Sequence, residues 1–273
     1  MTDIGTVLLV TVVAGAVTGV GALPVFFRAS VSHRVYDAAL GLAAGIMVAA
    51  SVFGLILPGM EVGGLTAVMA GVFLGGFALL AGNRAIPHLH ARYKGWRAEG
   101  GATGADAAAM SGVRDDTSAE ETDSTLRRAL LVGGAITLHN GPEGLAMGVA
   151  FASGLEEVAI LLAVVIGLQN IPDGFAFAVP MAETGMSNAK VFVYTTLSGL
   201  IPQVAAGIFG FYLVSIASGL FPVAAGFAAG AMLAVVFREM IPSSHGHGYA
   251  DAATAAFLVG FAILVVVDEL LVI

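Results

Sequence analysis

Two hexapeptides in this chain have the residue types and spacing to hold a divalent cation. One is His139-Asn140-Gly141-Pro142-Glu143-Gly144; the other is Gln169-Asn170-Ile171-Pro172-Asp173-Gly174. Both follow one pattern: a polar residue, Asn, any residue, Pro, an acid, Gly. In each, the first residue and the acid are four positions apart, so on a helix they share a face one turn apart. His139 with Glu143, and Gln169 with Asp173, can therefore converge from two helices on one point. Asn140 and Asn170 are rotated by about 100° onto a neighbouring face. Pro142 and Pro172 lack an N–H, so each frees a carbonyl four residues back, at Leu138 and Leu168. Imidazole with carboxylate oxygens suits Zn²⁺, Fe²⁺ or Mn²⁺ better than Ca²⁺ or Mg²⁺.

The elements that position these groups follow from composition. Of 273 residues, 58% are hydrophobic and 11% are charged. A soluble domain carries about 25% charged residues, so an ordinary cytosolic enzyme is excluded. The mean hydropathy of +0.94 indicates an all-α, polytopic membrane protein whose partner is the lipid bilayer. With no cysteine, disulfides, thiolate metal sites and cysteine nucleophiles are absent. The net charge of −8 gives no basic surface for nucleic acid. A bilayer core needs about 20 apolar residues per helix, and eight stretches are predicted: 4–27, 35–58, 64–86, 127–152, 157–182, 187–215, 219–242 and 250–272. The first reads as a permanent span rather than a cleaved leader, because Asp3 stands where a basic region would be. Pairs such as Gly15 with Gly19, and Gly226 with Gly230, are spaced for close helix packing. Both hexapeptides fall about 20 Å from the turn near 153–157, at mid-membrane depth.

Ionisable groups at that depth mark ion pathways by default. No base stands near Glu143 and Asp173 in the sequence, so a divalent cation is their natural counter-charge. All 11 Lys and Arg residues fall in or beside the links between predicted helices 1–2, 3–4, 5–6 and 7–8. The positive-inside rule makes those links cytoplasmic and both termini external. The outer side then carries Asp3, Glu61, Glu156, Glu157, Asp268 and Glu269, an acidic mouth that concentrates cations. The expected location is the plasma (inner) membrane. The polar segment 87–126 holds His88 and His90, then Asp115, Asp116, Glu120, Glu121 and Asp123, and reads as a disordered cytoplasmic loop. His245 and His247, with His88 and His90, are imidazoles on the cytoplasmic side that could receive metal. A flexible polar loop is an equal reading of them.

These motifs resemble the prokaryotic branch of the Zrt-/Irt-like (ZIP) family of divalent metal transporters. That branch carries HNxPEG in helix 4 and QNxPEG in helix 5. The resemblance covers essentially all of residues 1–273 as a single transmembrane domain. It includes Ser51-Val52-Phe53-Gly54-Leu55-Ile56-Leu57-Pro58 in helix 2 and Arg238-Glu239-Met240-Ile241-Pro242 at the end of helix 7. It implies uptake of metal, zinc above all with Cd²⁺, Fe²⁺ or Mn²⁺ as further candidates, and no organic cofactor. By motif position the ligands would be His139, Glu143, Gln169 and Asp173, with Met47 as an added methionine. Asn140 and Asn170 would build an adjacent second site. Glu239 and Asp268 would lie on the pathway. The family implies a homodimer in which helices 1, 4, 5 and 6 move as a block, an elevator-type movement.

Three departures from the family's pattern stand out: Asp173 stands for Glu, Pro202-Gln203 for a Glu-Pro pair, and Arg238 for His or Asp. A Glu completing the second site is thus missing, with Gln203 close by. The chain is not expected to be an enzyme. An intramembrane hydrolase would need HExxH with a third ligand, a serine with its base, or paired GxGD aspartates. A proton-coupled permease for an organic solute would use the same acids as relays. A metal sensor would share the ligands without translocation.

Overall fold

The computed structural model describes residues 3–27, 32–91, 139–183 and 185–271. Among these residues every regular element is helical. Helix α1 (Ile4–Val17) tightens into a 3₁₀ segment, Thr18–Phe27. Helix α2 (His33–Ala49) runs into a π-helical turn, Ala50–Ile56, and then into α3 (Leu57–Ala91). Helix α4 covers 139–153; α5 is Glu156–Glu183 and α6 is Asn188–Ile216. Helix α7 (Phe221–Val235) continues through a π-helical turn, Val236–Met240, into a last turn, Ile241–Ser244. Helix α8 is Ala250–Leu271.

The predicted second and third spans form one helical stretch, His33–Arg84, of 52 residues. Gly64 divides it, with φ of +76°, a conformation that only glycine adopts without strain. A Cβ added to Gly59 would lie 3.0 Å from Val68 Cγ2. Nine residues of straight helix would hold those positions about 13 Å apart, so the chain folds back on itself at Gly64. Among the described residues six helices, this one included, are long and apolar enough to cross a membrane. The protein is therefore an all-α, polytopic membrane protein. Helix α3 continues to Ala91, beyond the predicted end at 86. The remainder of the 87–126 segment lies outside the described residues. So do Arg28, Arg92, Lys94, Arg97, Arg114, Arg127 and Arg128, and nothing is described of the side chains of His88 and His90.

The helices fall into two groups. Helices α1, α5 and α6 pack together, while α3 packs on α7 and α2 on α8. Helix α4 joins the first group: a Cβ on Gly144 would strike the Gln203 carbonyl of α6, and one on Gly148 the Gly207 carbonyl. The predicted glycine pairs also face neighbours, Gly15 and Gly19 on α6, Gly226 and Gly230 on α3. In lipid there is little hydrophobic drive between helices, so such backbone approach supplies the packing attraction. The groups meet where α2 and its π-turn lie against α5. The outer faces expose Leu9, Phe73, Phe77, Phe209, Ile216 and Leu258, side chains that hydrocarbon accommodates without cost. One end of the bundle gathers three links: Asn188 Nδ2 donates to the Val25 carbonyl at 3.2 Å, and His247 Nδ1 lies 2.8 Å from Asp37 Oδ1.

Candidate metal centre

The two hexapeptides lie on α4 and α5, and their polar groups form a buried seam between those helices, α1 and α6. Glu143 and Gln169 are fully buried. Gln169 Nε2 donates to Glu143 Oε1 at 2.5 Å. Glu143 Oε2 and Gln169 Oε1 have no hydrogen-bond partner, and both are acceptors in a place without solvent. Buried acceptors left unpaired are costly. Asp173 is half-buried on the next turn of α5 and lies within electrostatic reach of both Glu143 and His139.

His139 is half-buried and turned towards α7, its Nδ1 3.3 Å from Glu239 Oε2. The π-turn Val236–Met240 carries Glu239. One extra residue in the turn rotates this side chain relative to a regular helix, here towards α4. The other oxygen, Oε1, accepts from Asn83 Nδ2 of α3 at 2.7 Å. Glu239 thus bridges the two helix groups.

Behind the carboxylates lies a set of amides. Asn140 and Asn170 are buried. Asn170 Nδ2 donates to the Ala14 carbonyl of α1 at 2.7 Å and to Gln203 Oε1 at 3.0 Å. Asn170 Oδ1 and Gln203 Nε2 remain without partners. These amides are neutral, so among the described residues the acids of the seam are Glu143 and Asp173. Among the described residues no three His, Asp or Glu side chains are already closed around one point. The reason is local: one Glu143 oxygen is occupied by an amide, and His139 leans to Glu239.

The chain that carries this buried seam is matched by known proteins along nearly its whole length. The profile of the family described as ZIP Zinc transporter matches residues 4–268. This chain belongs to the ZIP family. The zinc transporter GufA of Myxococcus xanthus is 35% identical, over 97% of this chain and 98% of its own length. The zinc transporter ZIPB of Bordetella bronchiseptica is 34% identical, over 94% of this chain and 78% of its own. Zinc transporter ZIP11 of Homo sapiens is 31% identical over 96% of each chain. A family of transporters sets aside the hydrolase alternative.

Within this ZIP chain the other candidate residues are dispersed. Met47 is fully buried in the apolar core of α2, just before the π-turn. Asp268 stands near the end of α8, with Glu269 as its electrostatic neighbour. His245 Nδ1 lies 2.9 Å from the Ile241 carbonyl and 3.0 Å from Ser244 Oγ. His247 meets Asp37 of α2. Asn83, Asp37 and the Ala14 carbonyl were not anticipated. Asp37 had a sequence signal, a lone acid inside an apolar span; the other two had none, since an Asn at a helix end and a backbone carbonyl look ordinary.

Proposed function

We propose that this chain takes up divalent transition metal, zinc first, into the cytoplasm through the seam between α4 and α5. The observation that carries this reading is the pair of unpartnered buried oxygens, Glu143 Oε2 and Gln169 Oε1, beside a second carboxylate and a histidine. The names of the relatives support zinc as the cargo; Cd²⁺, Fe²⁺ and Mn²⁺ fit the same donors. Glu143 and Asp173 supply two negative charges that replace the hydration of one divalent ion. His139, Gln169 and the amides Asn140 and Asn170 complete its surroundings, with Met47 as a soft neighbour on α2. Glu239 takes the ion onward, because it already touches His139 and belongs to the other helix group. Asp268 serves the outer mouth, and Gln203 keeps Asn170 in place.

The direction of transport follows from the family resemblance, and the charge pattern gives the orientation of the chain. The links near Arg34, Lys190 and Arg238 face the cytoplasm by the positive-inside rule, which puts both termini outside; eight crossings follow from the apolar spans of the sequence, and the plasma membrane and a homodimer from the family resemblance. The grouping of α1, α4, α5 and α6 against the rest supports movement of one group past the other. Uptake of Zn²⁺ by proteoliposomes tests the reading: the wild type should accumulate zinc, and a folded, inserted Glu143→Ala protein should not. Equal uptake by the two would sink it.

A further inference from the structure

One polar contact crosses between the two helix groups away from the central seam. Tyr36 stands in the first turn of α2 and is half-buried. Its hydroxyl donates to the Ala176 carbonyl of α5 at 3.1 Å. Its ring also meets that of Phe175, with centroids 6.3 Å apart. Ala176 lies close to one turn beyond Asp173 on α5, so the contact adjoins the turn that carries the central acid.

The sequence of α5 explains why this carbonyl takes a side-chain donor. In a helix the Ala176 carbonyl accepts from the N–H four residues on, and that residue is Pro180, inside α5. Proline has no N–H, so the carbonyl loses its helical donor. In membrane-spanning helices a side chain of a neighbouring helix re-satisfies such a freed group. Here that side chain belongs to the other helix group. One turn back along α5, the Pro172 carbonyl keeps the Ala176 N–H as its helical donor. The hydroxyl therefore favours this register over the adjacent one, and a slip of one turn, about 5.4 Å, loses the bond.

Tyr36 is braced from its own side. His247 meets its ring edge-on, with centroids 5.5 Å apart. His247 is in turn fixed by the buried Asp37, at 2.8 Å, and by the stacked ring of His33. These residues stand on α2 and on the link between α7 and α8. They belong with one helix group, and Ala176 belongs with the other.

We propose that Tyr36 is a positioning residue for transport: its hydrogen bond to the carbonyl freed by Pro180 clasps the two helix groups in the relative position seen here, and it opens when one group moves past the other. That the movement serves transport rests on the reading above; the clasp and its effect on the position of the groups do not. A neutral hydrogen bond biases such a balance by about two- to tenfold, enough to favour one position and weak enough to be broken in each cycle.

The test uses the full chain in lipid nanodiscs. The sequence has no cysteine, so Lys190→Cys on α6 and Asp251→Cys on α8 accept one spin label each. Both positions are exposed, and they lie on different helix groups. Pulsed electron spin resonance reads the distance between the labels. The doubly labelled parent is expected to give one main distance. Tyr36→Phe, which removes only the hydroxyl, should raise the share of a second distance relative to the first by about two- to tenfold. Pro180→Ala returns a helical N–H to the Ala176 carbonyl and should act in the same direction. The two substitutions together should do no more than Tyr36→Phe alone, because both act through one hydrogen bond. A merely structural role for Tyr36 would not produce that non-additivity. Distance profiles that coincide in the parent and the Tyr36→Phe protein overturn the proposal, and so does full additivity of the two substitutions. Should Pro180→Ala fail to fold, Tyr36→Phe carries the test, since it deletes a single half-buried oxygen. Wild-type proteoliposomes that fail to take up zinc would instead overturn the transport reading and leave the distance result standing.

Discussion

Gln169 gives Glu143 one hydrogen bond, 2.5 Å from Nε2 to Oε1, and the second carboxylate oxygen of Glu143 is buried with none. The amide therefore holds the carboxylate in place without satisfying it. Its own carbonyl oxygen is left equally unsatisfied. Two buried oxygens from different helices are thus left unsatisfied, the need that the proposed cation would meet.

Removing charge at constant shape should stop transport. Glu143→Gln and Asp173→Asn keep the packing and each delete one of the two negative charges in the seam. Initial zinc uptake is expected to fall by about 100-fold or more in each, a loss of the size found when one partner of a buried charge pair is removed. Gln169→Ala, which removes an orienting amide and a neutral ligand, should cost less, about tenfold. Radiolabelled uptake normalised to inserted protein measures all three.

Glu239 should govern passage rather than capture. It contacts His139 across the two helix groups but stands outside the Glu143–Gln169 pair. Glu239→Gln is expected to lower the maximal uptake rate by about tenfold while KM moves by less than about threefold. A rise in KM alone would place Glu239 at capture.

Gln203 should set how many ions the seam holds. It is neutral and bonded to Asn170, so two carboxylates balance one divalent ion. Gln203→Glu adds a third negative charge beside Asn170. The zinc held in the seam of purified protein, measured by equilibrium dialysis as the amount lost when Glu143→Gln is added, is expected to rise from about one to about two per chain.

The α4–α6 contact should be sensitive to single methyl groups. A Cβ on Gly144 meets the Gln203 backbone, whereas one on Gly141 meets nothing within 4 Å. Gly144→Ala is expected to destabilise the protein by about 1–3 kcal/mol, the range for overpacking. Gly141→Ala should leave stability almost unchanged. Thermal unfolding in detergent, followed by loss of monodisperse protein, separates the two.

The helices and the paired hexapeptides were determined by the sequence itself. Helix formation in apolar surroundings is local, because each span satisfies its own backbone hydrogen bonds. Spacing of four along a helix likewise puts His139 near Glu143, and Gln169 near Asp173, whatever the rest of the chain does. Only the tertiary structure decided what those faces meet. Glu239 reaches His139 because a π-helical turn re-aims it, and no periodicity in the sequence announces that turn. Asn170 finds the Ala14 carbonyl, and Asp37 finds His247 from 210 residues away, because helices packed on glycine bring them together. Such pairings depend on helix rotation and depth, which are set by contacts between distant segments and leave no mark in either segment alone.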